Sequence, residues 1–159
     1  MSSVTVSIVC TNYNKGKWIA EAIDSFLIQD CSFSYEILLI DDASTDESKG
    51  IIKDYAEKYP KIIRAFYNKK NLGITKTWIK ICKEARGKYI ARCDGDDYWI
   101  DEHKLQKQVN LLESSADSQW CCTDYDVVTG DKDVIQKNAV ESGFINRPKS
   151  YAEQLVTKG

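Results

Sequence analysis

A chain of 159 residues and 18.1 kDa has the length of one domain. Its 43% hydrophobic content is that of a chain with a core, which excludes disorder as the global state. With 22 basic against 24 acidic residues and a net charge of -2, it has no bulk attraction for nucleic acid or anionic lipid, and no nucleic-acid partner is expected.

The chain alternates strand and helix from its start. Val4, Val6, Ile8 and Cys10 alternate with Thr5, Ser7 and Val9, which predicts a buried strand of about seven residues. Trp18, Ile19, Ala22, Ile23, Phe26 and Leu27 recur at helical spacing across 16–29. Ile37 to Ile40 is a short apolar strand. Ser44 and Glu47 have the spacing of a capping box, opening a helix that carries Ile51, Ile52, Tyr55, Ala56 and Tyr59 and stops before Pro60. A third strand runs from Ile62 to Tyr67. A helix over 74–85 follows, with Gly87 as its expected C-cap, and a fourth strand runs from Lys88 to Cys93. The order β-α-β-α-β-α-β predicts an α/β fold: a mostly parallel sheet flanked by helices. A helix over 102–115, a fifth strand from Trp120 to Thr123, a hairpin turn at Gly130-Asp131, loop from Gln136 to Pro148 and a short helix over 150–158 complete the reading.

The longest apolar runs, such as Ile37 to Ile40, are four residues, against about 20 for a membrane span. The start lacks the layout of a secretory signal. Six cysteines without C-x-x-C spacing, and a single histidine, argue against structural zinc and for reduced thiols. The expected compartment is the cytoplasm, with peripheral attachment to a membrane left open.

Ligands of open α/β sheets bind beyond the carboxyl ends of the strands. Those ends carry Thr11-Asn12-Tyr13-Asn14-Lys15, Asp41-Asp42-Ala43-Ser44, Asn68-Lys69-Lys70-Asn71-Leu72-Gly73 and Asp94-Gly95-Asp96-Asp97. Converging carboxylates repel one another and call for a cation among them; Mg2+ or Mn2+ suits all-oxygen ligands. The first βα turn has no G-x-G-x-x-G and the chain no G-x-x-x-x-G-K-[ST], which disfavours dinucleotide and P-loop sites. Taken singly, Asp41-Asp42 reads as a solvated turn, and Asp46 and Glu47 read as helix N-terminal charge. His103 falls near a helix start, Lys69-Lys70 reads as a solvated loop, Trp99 as packing beneath the acidic loop, and Trp18, Trp78 and Trp120 as core.

Taken together and in order, these motifs resemble the family 2 glycosyltransferases, whose fold is called GT-A. The resemblance rests on Val6 to Asn14, Glu36 to Asp46, Asn71-Leu72-Gly73, Gly87 to Ala91, Asp94 to Trp99 and Lys104-Leu105-Gln106, and covers about 4–125 within one domain over 1–159. It implies an inverting, metal-dependent transfer of a sugar from a nucleoside-diphosphate sugar, UDP-linked by preference, to an acceptor hydroxyl in cell-surface glycan synthesis. The acceptor class stays open between glycan, lipid-linked carrier and protein. By position, Thr11 and Tyr13 would contact the base, Asp42 with Asp41 would serve the nucleoside, and Asp94 and Asp96 would meet ribose and metal-bound diphosphate. The metal ligand is expected to be Asp96, with Asp97 second. The family's catalytic base lies beyond the matched residues, so none is assigned; Asp124 and Asp126 could face the site. Full-length relatives are considerably longer, so the chain reads as truncated, a donor half without its acceptor half. The alternative is a nucleotide-sugar-binding module without turnover. An aspartyl-phosphate enzyme using the D-x-D pair would leave the other motifs unexplained. The Arg-Asn pair that many relatives carry after N-x-G is replaced here by Ile74-Thr75-Lys76-Thr77-Trp78, where Lys76 could supply charge but not a guanidinium fork.

Overall fold

The computed structural model describes residues 4–144. Four parallel strands, β1 (Val6–Asn12), β2 (Tyr35–Asp41), β3 (Ile63–Tyr67) and β4 (Tyr89–Asp94), form one sheet in the order β3-β2-β1-β4. Helices α1 (Gly16–Leu27), α2 (Ser48–Lys58) and α3 (Ile74–Cys82) make the crossovers, and α4 (Lys104–Ser114) follows β4. β1 is buried along its whole length and β2 everywhere but Tyr35, which is why both read as near-continuous apolar runs.

Side chains alternate across the sheet, so each central strand feeds two cores. Ile8, Cys10, Ile37 and Leu39 pack with Ile19, Ile23 and Phe26 of α1, Ile52 of α2, and Leu105 and Val109 of α4. Val9, Leu38 and Ile40 pack on the other face with Ile81, Trp78 and Cys82 of α3. Helices therefore cover both faces, as the alternating pattern predicts. Trp99 is buried against Phe26, with ring centroids 4.9 Å apart, and Trp18 and Trp78 are half-buried.

At the amino end of the sheet a buried carboxylate ties three strands to the α3–β4 connection. Glu36 accepts from Ser7 Oγ at 2.8 Å, from the Arg86 N–H at 2.8 Å and from Arg64 Nη1 at 3.1 Å. Burial alone would raise its pKa; the bonds from Ser7, Arg86 and Arg64, with Arg64's charge, outweigh that and hold it below the usual value. Gly87 belongs to this junction and caps no helix: α3 ends at Cys82 with Lys83 as its C-cap. The Gly87 N–H donates to Ser7 Oγ at 2.9 Å, and a Cβ there would lie 2.5 Å from the Ser7 nitrogen, so the close approach of two backbones demands glycine.

Two other expectations are corrected. The capping box does not form, because Ser44 is drawn into the β1–β2 tips and α2 starts at Ser48 with Glu47 at its N-cap position; Asp46, one residue before, accepts from the Ser48 N–H at 3.1 Å and from the Gly16 N–H of α1 at 2.8 Å. Residues 120–123 are irregular, and Trp120 is 76% exposed instead of core. Apolar, β-prone composition makes a strand only where a ladder partner accepts it, and this stretch forms no ladder.

The chain divides into two compact units, Met1–Ser115 and Ala116–Gly159. The described part of the second unit holds the hairpin read at Gly130-Asp131: β5 (Val127–Val128) pairs antiparallel with β6 (Val134–Gln136). Thr129 Oγ1 accepts from the Asp131 and Asp133 N–H groups across the turn. The helix expected over 150–158 lies outside the described residues.

Candidate functional site

The order β3-β2-β1-β4 reverses between β1 and β4, so the carboxyl ends of these two strands border a topological switch point. Register sets which tip residues meet. Thr11 stands opposite Asp94, and its Oγ1 donates to Asp94 Oδ1 at 3.1 Å. Asn12 stands opposite Asp41, and its Nδ2 donates to Asp41 Oδ1 at 3.0 Å.

The neighbouring aspartates Asp41 and Asp42 turn to opposite sides, as the period of two requires. Asp41, on the α1/α2 side, also accepts from the Ser44 N–H at 2.9 Å and from Ser44 Oγ. These bonds hold Ala43 in the left-handed region at φ 63°, unusual for a residue with a Cβ. Asp42, on the α3 side, is 4% exposed; its carboxylate accepts from Asn68 Nδ2 at 2.6 Å and from the Leu72 and Gly73 N–H groups at 3.0 Å each. Burial would raise its pKa, but the bonds from Asn68, Leu72, Thr77 and Gly73 prevail and lower it. The N-x-G motif thus has a physical meaning. Gly73 takes φ 81°, open to glycine, and its N–H points at Asp42 Oδ2 while α3 begins at the next residue.

The β1–α1 and β2–α2 loops interlock around these aspartates. Asn14, at φ 53°, donates its N–H to Ser44 Oγ and accepts from the Thr45 N–H at 2.8 Å. The Lys15 N–H donates to Ser48 Oγ at 3.1 Å. Tyr13 projects from this frame with 44% of its surface exposed.

In the acidic loop after β4, Arg92 Nη2 lies 3.0 Å from Asp94 Oδ2 with its guanidinium carbon 5.1 Å from the centre of the Trp78 ring. Lys15 Nζ pairs with Asp96. Asp97 lies at the surface, yet the protein around its carboxyl and the charges of Asp96 and Asp94 raise its pKa, against a weaker pull from Lys15 and Arg92. Gly95 seats the loop on β1: a Cβ there would lie 2.8 Å from Asn12 Oδ1, a buried oxygen without a hydrogen-bond donor among the described residues. Among the described residues no three carboxylate, His or Cys side chains converge as a ready-made metal cage.

The structure therefore brings Thr11 and Asp94 together at the switch point, pairs Asp96 with Lys15, sets Asp42 on the same side as Thr11, and sends Asp41 to the other side. Asn12, Lys15, Asn68 and Arg92 are participants that the sequence reading left without a role; Lys15 and Arg92 adjoin the motifs, and only strand register shows what they touch. Lys69, Lys70 and Lys76 are exposed, and His103 takes the N-cap position of α4. In the second unit, Asp124 accepts from the Tyr125, Val140 and Glu141 N–H groups and Asp126 from that of Asn138, so both carboxylates serve local backbone. All six cysteines are free thiols, and burial pushes Cys93 up to about 12, with Asp97 and Asp94 adding to the effect. No helix among the described residues is long and apolar enough to cross a membrane.

Comparison with known proteins gives the family and the fold. The putative teichuronic acid biosynthesis glycosyltransferase TuaG of Bacillus subtilis is 31% identical over 146 residues, 91% of this chain and 54% of TuaG. The mannosyltransferase PcManGT of Pyrobaculum calidifontis, solved with GDP-Man and Mn2+, superposes with a TM-score of 0.66 at 23% identity over 76% of this chain and 35% of its own. TarS 1-349 of S. aureus, solved with UDP-GlcNAc, superposes with a TM-score of 0.61 at 22% identity over 97% and 52%. The chain spans about a third to a half of the length of the curated relatives it matches. The fold is the GT-A fold of these neighbours. The model of Glycosyl transferase family 2 matches residues 7–158, and the chain belongs to that family.

Proposed function

We propose that this chain carries the donor site of an inverting, metal-dependent glycosyltransferase that passes a sugar from a nucleoside-diphosphate sugar, UDP-linked by preference, to an acceptor hydroxyl in cell-surface glycan synthesis. The observation that carries the reading is the Thr11–Asp94 contact at the switch point, with Arg92 and Lys15 bringing positive charge to the same acidic loop. A nucleoside diphosphate needs such a site: polar strand tips for base and ribose, and cations for the diphosphate. Thr11 and Tyr13 would meet the base, Tyr13 offering an exposed ring. Asp42 would accept from the ring N–H of uracil. It could do so only by sharing or exchanging bonds such as those it holds with Asn68, Leu72 and Gly73. Asp41 would act behind it, by fixing Asn12 and Ser44.

The donor set of the acidic loop fits a hard divalent cation, because it offers carboxylate oxygens alone. With no three-group cage, the protein would give one or two of those oxygens and the nucleotide's phosphates would complete the shell. Asp96, with Asp97 second, would hold a Mg2+ or Mn2+, and Asp94 would meet the ribose. The bound cation supplies Lewis-acid stabilisation of the departing diphosphate. The protein's own part is orientation: Thr11, Arg92 and Gly95 fix the acidic loop on β1. The attacking hydroxyl would need a base from outside this unit. PcManGT was solved with a guanosine and TarS with a uridine nucleotide sugar, so the base of the donor has to be measured. Calorimetric titration with UDP and with GDP, each with and without Mn2+, tests the reading. Mn2+-dependent UDP binding, weakened at least tenfold by Asp96→Asn, is the expected result. Equal binding of both nucleotides would remove the uridine preference, and binding indifferent to Mn2+ would remove the metal.

A further inference from the structure

Lys15 ends the β1 tip, and its Nζ crosses to Asp96, 81 residues later in the chain. Its backbone is fixed by the bond from its N–H to Ser48 Oγ and by the Trp18 and Ile19 N–H groups, which donate to its carbonyl at 2.9 Å each. The side chain beyond is a flexible four-carbon stem with 36% of its surface exposed, so its ammonium can swing while its Cα stays. While paired with Asp96, the ammonium also lies 5.8 Å from the centre of the Trp18 ring. Asp94 is held differently: its partners Thr11 and Arg92 come from within the sheet, Arg92 stacked on Trp78, and neither depends on Lys15.

An ammonium and a divalent cation compete for the same carboxylate oxygens, and a bound cation repels the ammonium that remains nearby. We infer that Lys15 is an internal counter-ion of Asp96 that a divalent cation must displace, and that the displaced ammonium then pairs with the anionic diphosphate of the nucleotide. The inference rests on the donor-site reading above and adds a coupling to it. Without nucleotide, displacing Lys15 costs the cation affinity. With nucleotide, Lys15 exchanges one anion for another and the cost vanishes. Cation and nucleotide then favour each other's binding by the same factor, as linkage requires. Asp96 stays paired until metal and nucleotide arrive together.

The test is Mn2+ titration of the full chain, followed by calorimetry and by the spin-resonance signal of free Mn2+, for the unmutated protein, Lys15→Met and Lys15→Arg. Lys15→Met keeps the stem and removes the charge; it should bind Mn2+ alone about three- to tenfold more tightly. Lys15→Arg should behave like the unmutated chain. Adding UDP should sharpen Mn2+ binding by a smaller factor in Lys15→Met than in the other two. Equal melting temperatures confirm that folding is not at issue. Mn2+ affinity in Lys15→Met equal to or weaker than that of the unmutated chain overturns the inference and leaves the donor-site reading standing. Failure of all three chains to bind Mn2+, with and without UDP, overturns the metal reading and the inference with it.

Discussion

Asp42→Ala separates an anchoring role from a ligand role, because its effect is expected in the chain without ligand. The Asp42 carboxylate is almost wholly buried and holds the Asn68 amide and the Leu72 and Gly73 N–H groups, the contacts that fix residues 68–73 and the start of α3. A net hydrogen bond to a charged group contributes about 1.5–3 kcal/mol, but several to one carboxylate are not additive, and water entering the vacated space recovers part of the loss. The expected cost is about 2–4 kcal/mol, which for a chain of this size lowers Tm by about 10 °C. Asp42→Asn keeps one acceptor and turns an amide N–H toward a donor, so it should lose about half as much. The sign with pH follows from the lowered pKa. The contribution of the carboxylate is complete above its unfolded value, about 3.9. It is lost as pH falls through the folded value, so the stability gap between the unmutated chain and Asp42→Asn should close on acidification below about pH 4. Urea unfolding at several pH values measures the gap, and hydrogen exchange at Leu72 and Gly73 reports the loop. If Asp42→Ala unfolds at the same urea concentration as the unmutated chain and leaves those amides protected, the anchoring role is refuted.

Two further outcomes test the frame on which the site rests. Glu36→Gln leaves Arg64 and the Arg86 N–H with a weaker acceptor and should cost about 1–3 kcal/mol, again with a gap that narrows below about pH 4 because the Glu36 pKa is lowered. A gap independent of pH would deny the carboxylate its charge in the native state. Gly87→Ala should destabilise by about 2 kcal/mol or more through the clash with the Ser7 and Val6 backbone. Gly50→Ala, within α2 and with open space around it, should stabilise by about 0.5–1 kcal/mol. Thermal melts of the two variants settle both, and opposite signs are the result required.

Much of the fold is legible in the sequence, because its signals are local. Apolar runs of seven or fewer residues between helical repeats are what a buried parallel sheet demands, and β1 to β4 and α1 to α4 stand within a few residues of where periodicity puts them. The readings that failed depended on partners elsewhere in the chain. Ser44 has the spacing of an N-cap but is claimed by Asp41 and Asn12. Gly87 has the position of a C-cap but is needed where two backbones touch. Residues 120–123 have strand composition and no ladder.

The candidate site divides in the same way. That four polar tips follow four apolar strands, that two of them carry clustered aspartates, and that their order is that of a glycosyltransferase family are properties of residue type and spacing, legible along the chain. That Thr11 meets Asp94, that Asp41 and Asp42 serve opposite sides of the sheet, and that Lys15 and Arg92 pair with Asp96 and Asp94 follows from the fold alone. The Thr11 and Lys15 contacts join residues from different strands or loops, and strand order and register, which set who stands opposite whom, are chosen by packing of the whole sheet and are written in no single segment.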